Sequence, residues 1–319
     1  MVHKRIAIRF SHTFNRRAFP VLFGLAAILA VACGLPATPV PTQAPATAIP
    51  AVDASGLKTI LATKMLDVGT QRVAFLLTSP KALIKVPEVQ VTSVFLGEGE
   101  AASETEMAGF HLWPYGVRGS YVTEMNFDRL GPRRLDIVVN GVEDQGMTVA
   151  LFEAAEHGNV PNIGSIPLLS RNKTLQNAES LEKLTTDFAP DPDLYQITVE
   201  DASATGKPTV VVFASPGFCT SPTCGPQTAT LSELKAKYAG EANFIHVEIY
   251  DNPDKIQGDL NKATLSQPVQ DWGISDLPDW FNESWTFILS DEGWGSQRFE
   301  GFATLEELES ALQVVLAQS

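Results

Sequence analysis

The sequence predicts a two-domain protein in which an antiparallel β-sandwich precedes an α/β domain. A chain of 319 residues is long enough for about two domains. Residues 56–167 contain short β-rich segments separated by turn residues, whereas residues 193–319 alternate between strand and helix patterns. Because 44% of the residues are hydrophobic, both parts can bury an apolar core.

Residues 1–32 have the pattern of an export signal. Five basic residues and no acidic one precede the apolar segment Val21–Ala32. That segment runs into Ala30-Val31-Ala32-Cys33-Gly34, which resembles the lipobox of bacterial lipoproteins, although Ala30 stands where the motif prefers Leu. The resemblance implies cleavage before Cys33 and lipidation of Cys33. The alternatives are a plain signal peptide or a single membrane anchor, but the apolar segment is shorter than the roughly 20 residues of a membrane span.

Residues 33–55 are predicted to tether the folded part to the membrane. The segment Leu35–Pro50 is uncharged and rich in Pro, Thr and Ala, which favours an extended, polyproline-like chain. Loss of residues 1–32 would remove five positive charges and take the net charge from −14 to −19. Such acidity argues against nucleic acid or anionic lipid as a partner. We therefore expect an extracytoplasmic protein attached to the cell membrane through its lipid.

Residues 56–167 are predicted to form an immunoglobulin-like antiparallel sandwich. Turn-forming pairs such as Asn140-Gly141 separate the β-rich segments, and several segments alternate between apolar and polar residues. Trp113-Pro114-Tyr115 forms either a surface patch or packing at the rim of the sandwich. The β-rich segments are Arg72–Leu77, Val89–Leu96, Gly119–Phe127, Arg134–Val139 and Met147–Phe152.

Residues 168–192 are a connector that we expect to wrap onto the following α/β domain, residues 193–319. There, a β-α-β order followed by β-β-α predicts one mixed sheet with helices on both faces. The predicted elements are a helix at Thr198–Gly206, a buried strand at Thr209–Ala214, a helix at Gln227–Ala239, a strand at Asn243–Tyr250, a helix ending near Pro268–Trp272, strands at Trp285–Leu289 and Gln297–Phe299, and a closing helix that begins with the capping box of Thr304 and Glu307.

Cys219 and Cys224 stand where the buried strand Thr209–Ala214 gives way to a helix. The positive end of the helix dipole favours thiolate over thiol, which makes a cysteine reactive. If Cys33 carries the lipid, these are the two cysteines left in the folded part. Outside the cytoplasm, two cysteines so close in sequence are expected to be able to form a disulfide.

The order of elements around these cysteines resembles the thioredoxin fold. The resemblance rests on Phe213–Cys219 before the first cysteine, on the strand Phe244–Tyr250, and on the C-terminal strands and closing helix. With its lipobox and tether, the whole chain resembles a group of bacterial lipoproteins. The resemblance implies thiol–disulfide exchange with the thiols or disulfides of client proteins, in which one cysteine attacks and the other resolves.

The sequence departs from the thioredoxin pattern in two places. Four residues separate Cys219 from Cys224, whereas thioredoxins have Cys-x-x-Cys. Either Cys219 attacks, which we favour because it follows an aromatic residue as in the family, or Cys224-Gly225-Pro226-Gln227 takes the place of Cys-Gly-Pro-Cys and Cys224 attacks. The second departure is Ser284, which stands where the family places a cis-proline opposite the cysteines.

Two other hypotheses compete with redox exchange. The disulfide could be structural, in a thioredoxin-like scaffold that only binds, or the two cysteines could deliver Cu(I) together with His246, which shares a strand face with Glu248. We find no phosphate-binding glycine loop and no nucleophile elbow, and zinc needs more ligands than these. We therefore predict no cofactor and no resident metal.

Overall fold

The structure is a computed structural model that describes residues 56–80, 83–100, 102–114, 116, 118–140, 146–156, 158, 160–277, 280 and 282–319. All of them belong to one structural unit, Ile49–Ser319. The predicted export signal, Cys33 and the whole of the predicted tether lie outside the described residues, so these expectations stay predictions. The predicted domain boundaries also stay predictions. Within the described residues, no helix combines the length and apolar character that crossing a membrane requires.

The first sheet is antiparallel throughout and has seven strands in the order β1-β2-β5-β4-β3-β6-β7. The strands are β1 (Lys58–Leu61), β2 (Gly69–Thr78), β3 (Glu88–Phe95), β4 (Ser103–Leu112), β5 (Gly119–Phe127), β6 (Gly131–Val139) and β7 (Gly146–Ala154). One face of β2, β3, β5 and β6 contributes alternate apolar side chains to a single core cluster, which includes Val73, Phe75, Val91, Tyr121 and Ile137.

This sheet confirms the predicted antiparallel β-domain but not its immunoglobulin-like form. An immunoglobulin-like sandwich stacks two sheets, whereas here all seven strands belong to one hydrogen-bonded sheet. The sheet curls until its edge strands β1 and β7 come together, and Thr59 Oγ1 donates to Thr148 Oγ1 at 3.3 Å. Curling lets one face enclose the core, so a second sheet is not needed to cover it.

The second sheet has four strands in the order β11-β10-β8-β9. The two central strands are β8 (Thr209–Ala214) and β10 (Trp285–Leu289). β8 runs parallel to the edge strand β9 (Asn243–Glu248), while β10 runs antiparallel to both β8 and the other edge strand, β11 (Gly295–Glu300). These directions and this order are those of the core sheet of the thioredoxin fold. The predicted α/β domain is confirmed.

Helices cover both faces of this sheet, as predicted. They are α1 (Val199–Ser203), α2 (Cys224–Lys237), α3 (Pro253–Ile256), α4 (Gln267–Asp271) and α5 (Leu305–Leu316). Alternate residues of β8 point to opposite cores: Val211 and Phe213 pack with α1, α3 and α4, whereas Val210 and Val212 pack with α2 and α5. The predicted capping box of Thr304 and Glu307 opens α5. The connector also packs as expected, with Leu175, Leu181 and Leu184 against the core of α2 and α5.

Charged side chains hold the two sheets together. Arg72 of β2 donates to Glu307 of α5 at 2.9 Å, and both side chains are largely buried. Arg298 of β11 donates to the Met65 carbonyl at 3.1 Å, and Glu300 accepts the backbone N–H of Met65 at 3.1 Å. Hydrogen bonds with a charged partner are stronger than neutral ones and depend on direction, so they fix the relative position of the sheets.

Candidate functional site: a disulfide under a two-sided cleft

Cys219 and Cys224 are joined by a disulfide, with an S–S distance of 2.07 Å and a Cα–Cα distance of 5.9 Å. Cys224 is the first residue of α2 and is completely buried. Cys219 lies in the loop before the helix and is half-buried. The two sulfurs therefore differ in how easily a partner can reach them.

The loop that carries Cys219 is shaped by the end of β8 and by the connector. All six residues of β8 are buried, and the strand ends at Ala214. The chain then turns, and the Phe218 N–H donates to the Ser215 carbonyl at 3.0 Å. The Gly217 N–H donates to Thr186 Oγ1 at 2.9 Å, and a Cβ at Gly217 would lie 3.0 Å from the Thr186 carbonyl oxygen. A side chain at this position would press against the connector, so glycine allows the close approach.

Position at the helix start favours Cys224 as the attacking group, whereas exposure favours Cys219. Because α2 begins at Cys224, Cys224-Gly225-Pro226-Gln227 occupies the helix start, as in the second of the two predicted alignments. Gln227 is fully buried there and accepts the Ala303 N–H at 2.8 Å, so it is a packing residue. Exchange requires access to the attacking sulfur, and Cys219 is the more accessible of the two.

A chain of hydroxyl groups leads from the disulfide to the sheet. Ser221 Oγ lies 3.7 Å from Cys219 Sγ and 2.7 Å from Thr223 Oγ1. Ser284 Oγ lies 3.1 Å from Thr223 Oγ1 and 3.0 Å from the Gly301 carbonyl oxygen. A hydroxyl carries one proton, so Ser284 donates to one of these two acceptors at a time. When Ser284 donates to Thr223, each hydroxyl can donate to the next, and Ser221 can donate to a thiolate at Cys219.

Ser284 thus replaces the cis-proline of the thioredoxin pattern with a buried hydrogen-bonding group. It is completely buried, directly precedes β10 and contacts the residue before Cys224. No peptide bond among the described residues is cis. A proline here could not supply the hydroxyl, so the contact to the cysteine loop is polar in this chain.

A buried carboxyl group lies under the same loop. Glu248 of β9 accepts the Thr186 N–H at 2.8 Å and the Thr186 hydroxyl at 2.9 Å, and Thr186 in turn binds the loop at Gly217. Burial raises the pKa of Glu248 to about 7, while hydrogen bonds from Ser215 and Thr186 act in the opposite direction. The group that supports the loop therefore titrates near neutral pH.

His246 has both ring nitrogens engaged inside the protein. Nδ1 lies 2.6 Å from the Tyr195 hydroxyl, and Nε2 lies 3.2 Å from the Ala214 carbonyl oxygen. Because a carbonyl only accepts, Nε2 carries the proton and Nδ1 accepts from Tyr195. Burial lowers the pKa of His246 to about 4, so the ring is neutral. Neither nitrogen is free for Cu(I), and the described residues contain no cluster of three or more metal-ligating side chains.

The β4–β5 loop of the seven-stranded sheet faces the disulfide across a cleft of 460 Å³. Trp113 and Pro114 therefore form one wall of the candidate site, together with Arg118; Tyr115 lies outside the described residues. From the sequence, Trp113 and Pro114 were expected to form either a surface patch or packing at the rim of the first domain, and neither they nor Arg118 were connected with the cysteines. Nothing local signals the contact, because it joins residues about 100 positions apart. The lining residues are Trp113, Pro114, Arg118, Cys219, Thr220, Ser221 and Pro222.

A larger cavity of 810 Å³ lies between the two sheets. Its described lining includes Glu283 and Glu300 but no cysteine and no histidine. Burial, together with the charge of Glu300, raises the pKa of Glu283 to about 9, so Glu283 is protonated near neutral pH. This cavity contains none of the groups that exchange disulfides.

Comparison with known proteins adds one structural likeness. No family model matches the chain, and no curated protein matches it. Among solved structures, the chain is similar to a thiol:disulfide interchange protein of the thioredoxin family from Chlorobium tepidum TLS. The likeness covers 44% of this chain and 99% of that one, with 12% identity and a TM-score of 0.29. At that TM-score the likeness carries no conclusion, and the description as thioredoxin-like rests on the strand order and directions given above.

Proposed function

We propose that this chain is a membrane-tethered, extracytoplasmic thiol–disulfide exchange protein that acts through Cys219 and Cys224. The observation that carries the proposal is the asymmetric disulfide between strand and helix. One sulfur, Cys219, borders a cleft, and the other, Cys224, is buried behind it at the start of α2. Exchange needs one accessible sulfur to meet the partner and a second, protected sulfur to release it.

In the reducing direction, the thiolate of Cys219 attacks one sulfur of a partner disulfide. A mixed disulfide forms, and the second partner sulfur leaves as a thiolate that takes up a proton. Cys224, as its thiolate, then attacks the Cys219 sulfur, which restores the internal disulfide and releases the first partner thiol. Two electrons pass from the dithiol to the partner. In the oxidising direction the same steps run backwards, with a partner dithiol as the electron donor.

The surroundings support each role. Cys224 at the first position of α2 is where the helix dipole favours a thiolate. Ser221 is placed to donate to a thiolate at Cys219 through its contact of 3.7 Å. Thr223 lies 4.0 Å from the same sulfur and links it to Ser284.

The first test is a redox titration of the full chain, with free thiols trapped by alkylation and counted by mass spectrometry. We expect a reversible two-electron transition between about −120 and −270 mV, the range of known oxidoreductases. A disulfide that stays intact below about −300 mV would overturn the proposal, because such a bond resists cellular reductants.

A trapping experiment tests the assignment of the two cysteines. In Cys224→Ser, a partner attacked by Cys219 cannot be released, so a mixed disulfide should accumulate. In Cys219→Ser, the remaining sulfur is buried and little adduct should form. Equal trapping by both variants, or stronger trapping by Cys219→Ser, would contradict Cys219 as the attacking group.

One observation favours a structural disulfide as the second candidate function. Ser284 and Thr223 tie the cysteine loop to β10 through buried hydroxyls, which holds the loop in place. In a scaffold that only binds partners, the disulfide would add to that rigidity. A potential below about −300 mV in the titration would select this candidate.

The lipid anchor is tested separately, since the charge and the motif near Cys33 support it independently of the fold. Metabolic labelling with a fatty acid should mark the wild-type chain and not Cys33→Ser. The unmodified variant should also leave the membrane fraction. Labelling of both chains would show that Cys33 is not the acceptor.

A further inference from the structure

Hydrogen bonds join the described residues of the wall opposite the disulfide. The Trp113 N–H donates to the Arg118 carbonyl at 2.8 Å, and the Gly116 N–H donates to the Trp113 carbonyl at 3.1 Å, which closes the loop. The indole Nε1–H of Trp113 donates to Ser120 Oγ at 3.2 Å, and Trp113 is only 9% exposed. Charged hydrogen bonds between the two sheets join the parts of the chain that carry this wall and Cys219.

The wall brings a positive charge to an uncharged site. Arg118 is the one charged side chain among the described residues that line the cleft. It is exposed, and among the described residues its side chain has no hydrogen bond or ion pair. The loop from Gly217 to Pro226 contains no charged residue, and the chain as a whole carries a net charge of −14. Arg118 is therefore a local cation in the cleft that Cys219 also lines, on an otherwise acidic protein.

The other lining residues suit an extended polypeptide. Pro114 and Pro222 offer exposed apolar surfaces, while Thr220 and Ser221 offer hydroxyl groups. Small-molecule sites usually bury most of their ligand. Here Pro114, Arg118, Thr220 and Pro222 are all exposed, which gives an open approach for a surface segment of another protein.

We propose that Arg118 and the Trp113–Pro114 wall select client proteins in which an acidic side chain lies next to the reacting cysteine. This inference rests on the proposed exchange function and adds the chemistry of the partner. Arg118 does not touch the reacting sulfurs in the exchange steps and acts as a specificity residue. The seven-stranded sheet thereby supplies part of the recognition surface for the thioredoxin-like site.

The experiment uses the reduced full chain and synthetic peptides whose single cysteine carries a 2-pyridyl disulfide. The Cys219 thiolate attacks the peptide sulfur, and pyridine-2-thione leaves, so its absorbance follows the rate. Three peptides differ only in the residue beside cysteine, which is Asp, Asn or Lys. The variants are Arg118→Glu and Lys255→Glu, because Lys255 is exposed on α3 and away from the cleft lining, and both changes alter the net charge equally.

With wild type and Lys255→Glu at low salt, we expect the Asp peptide to react about three- to fivefold faster than the Lys peptide, the range of an exposed ion pair of up to about 1 kcal/mol. Arg118→Glu should reverse this order and leave the Asn peptide unchanged. The preference should shrink at about 0.5 M salt, because salt screens exposed charges.

The possible failures are distinguishable. If no peptide reacts with the wild-type dithiol, the proposed exchange function fails. If all three peptides react at rates that Arg118→Glu does not change, exchange stands and the role of Arg118 is overturned. The pyridyl disulfide of N-acetylcysteine, which has its own carboxylate, is measured in parallel. If Arg118→Glu slows only this compound, the site serves low-molecular-weight thiols and the protein-client inference is overturned.

Discussion

Reduction of the Cys219–Cys224 disulfide should destabilise the folded chain by about 2 kcal/mol. The bond joins residues five positions apart, so it closes a loop of six residues. In the chain-entropy description, cross-linking a loop of that size lowers the entropy of the unfolded chain by about 7 cal/mol/K, which is about 2 kcal/mol at 25 °C. For the folded unit Ile49–Ser319, that free energy corresponds to a decrease in Tm of roughly 3–4 °C.

The assay compares urea unfolding of the oxidised chain, the chain reduced with dithiothreitol, and Cys219→Ala/Cys224→Ala. The reduced chain and the double variant should unfold at similar, lower urea concentrations. The same free energy must appear in the redox equilibrium, because stabilisation of the fold by the bond equals stabilisation of the bond by the fold. About 2 kcal/mol corresponds to a potential about 45 mV lower in the folded than in the unfolded chain.

Two results would refute this reasoning. A reduced chain as stable as the oxidised one would mean that the folded loop opposes the bond by as much as the loop entropy favours it. A loss well above about 4 kcal/mol would mean that reduction disrupts packing around Cys224, and loop entropy would then be the smaller effect. The second result would also favour the structural disulfide over exchange.

Three further predictions concern the groups around the site. Because burial raises the pKa of Glu248 to about 7, the folded chain keeps a proton on Glu248 that the unfolded chain releases near pH 4.5. The contribution of this proton to the free energy of unfolding is complete below about pH 4.5 and is lost as the pH rises to about 7. Glu248→Gln should therefore remove about 3 kcal/mol of that pH dependence, measured by urea unfolding at pH 4.5 and 7.5, and an unchanged slope would contradict the assignment. Arg72→Met should destabilise the chain by about 3 kcal/mol because it leaves the Glu307 carboxylate without its partner at 2.9 Å. Adding Glu307→Gln to this variant should restore much of the lost stability. If the two substitutions instead destabilise the chain additively, the pair does not interact. Ser221→Ala should shift the pH midpoint of Cys219 alkylation upward by roughly half a unit, since a hydrogen bond of about 1 kcal/mol is worth less than one pH unit; no shift would remove Ser221 from thiolate stabilisation.

The sequence was sufficient to predict the α/β domain because three of its four strands, β8, β9 and β10, are buried on both faces. Apolar runs such as Thr209–Ala214 leave few alternatives to an internal strand, and the capping box of Thr304 and Glu307 marks the start of α5. The strand β4 escaped prediction for the opposite reason. Its sequence SETEMAGFHL is exposed at half of its positions and fully buried only at Ala108, so no apolar alternation reveals it, although β4 lies between β3 and β5.

Only those features of the candidate site that depend on residues close together in the sequence were predicted. The position of the cysteines between strand and helix follows from neighbouring residues, and so does the place of Ser284 before β10. The opposing wall does not, because Trp113 and Arg118 reach the cysteines through the packing of two sheets. The single curled sheet was also not predictable, since alternation shows which face is buried but not whether one sheet or two enclose the core.

The contacts between Arg298, Glu300 and Met65 have a consequence for how this protein can be divided. A fragment that keeps the thioredoxin-like sheet alone would expose Arg298 and Glu300 to water in place of their present backbone partners, and it would lose the wall at Arg118. Such a fragment could still undergo redox chemistry, but we expect it to treat acidic, neutral and basic partners alike. The proposed chemistry would thus depend on residues from the connector onward, including Thr186, and the proposed selectivity on residues before the connector.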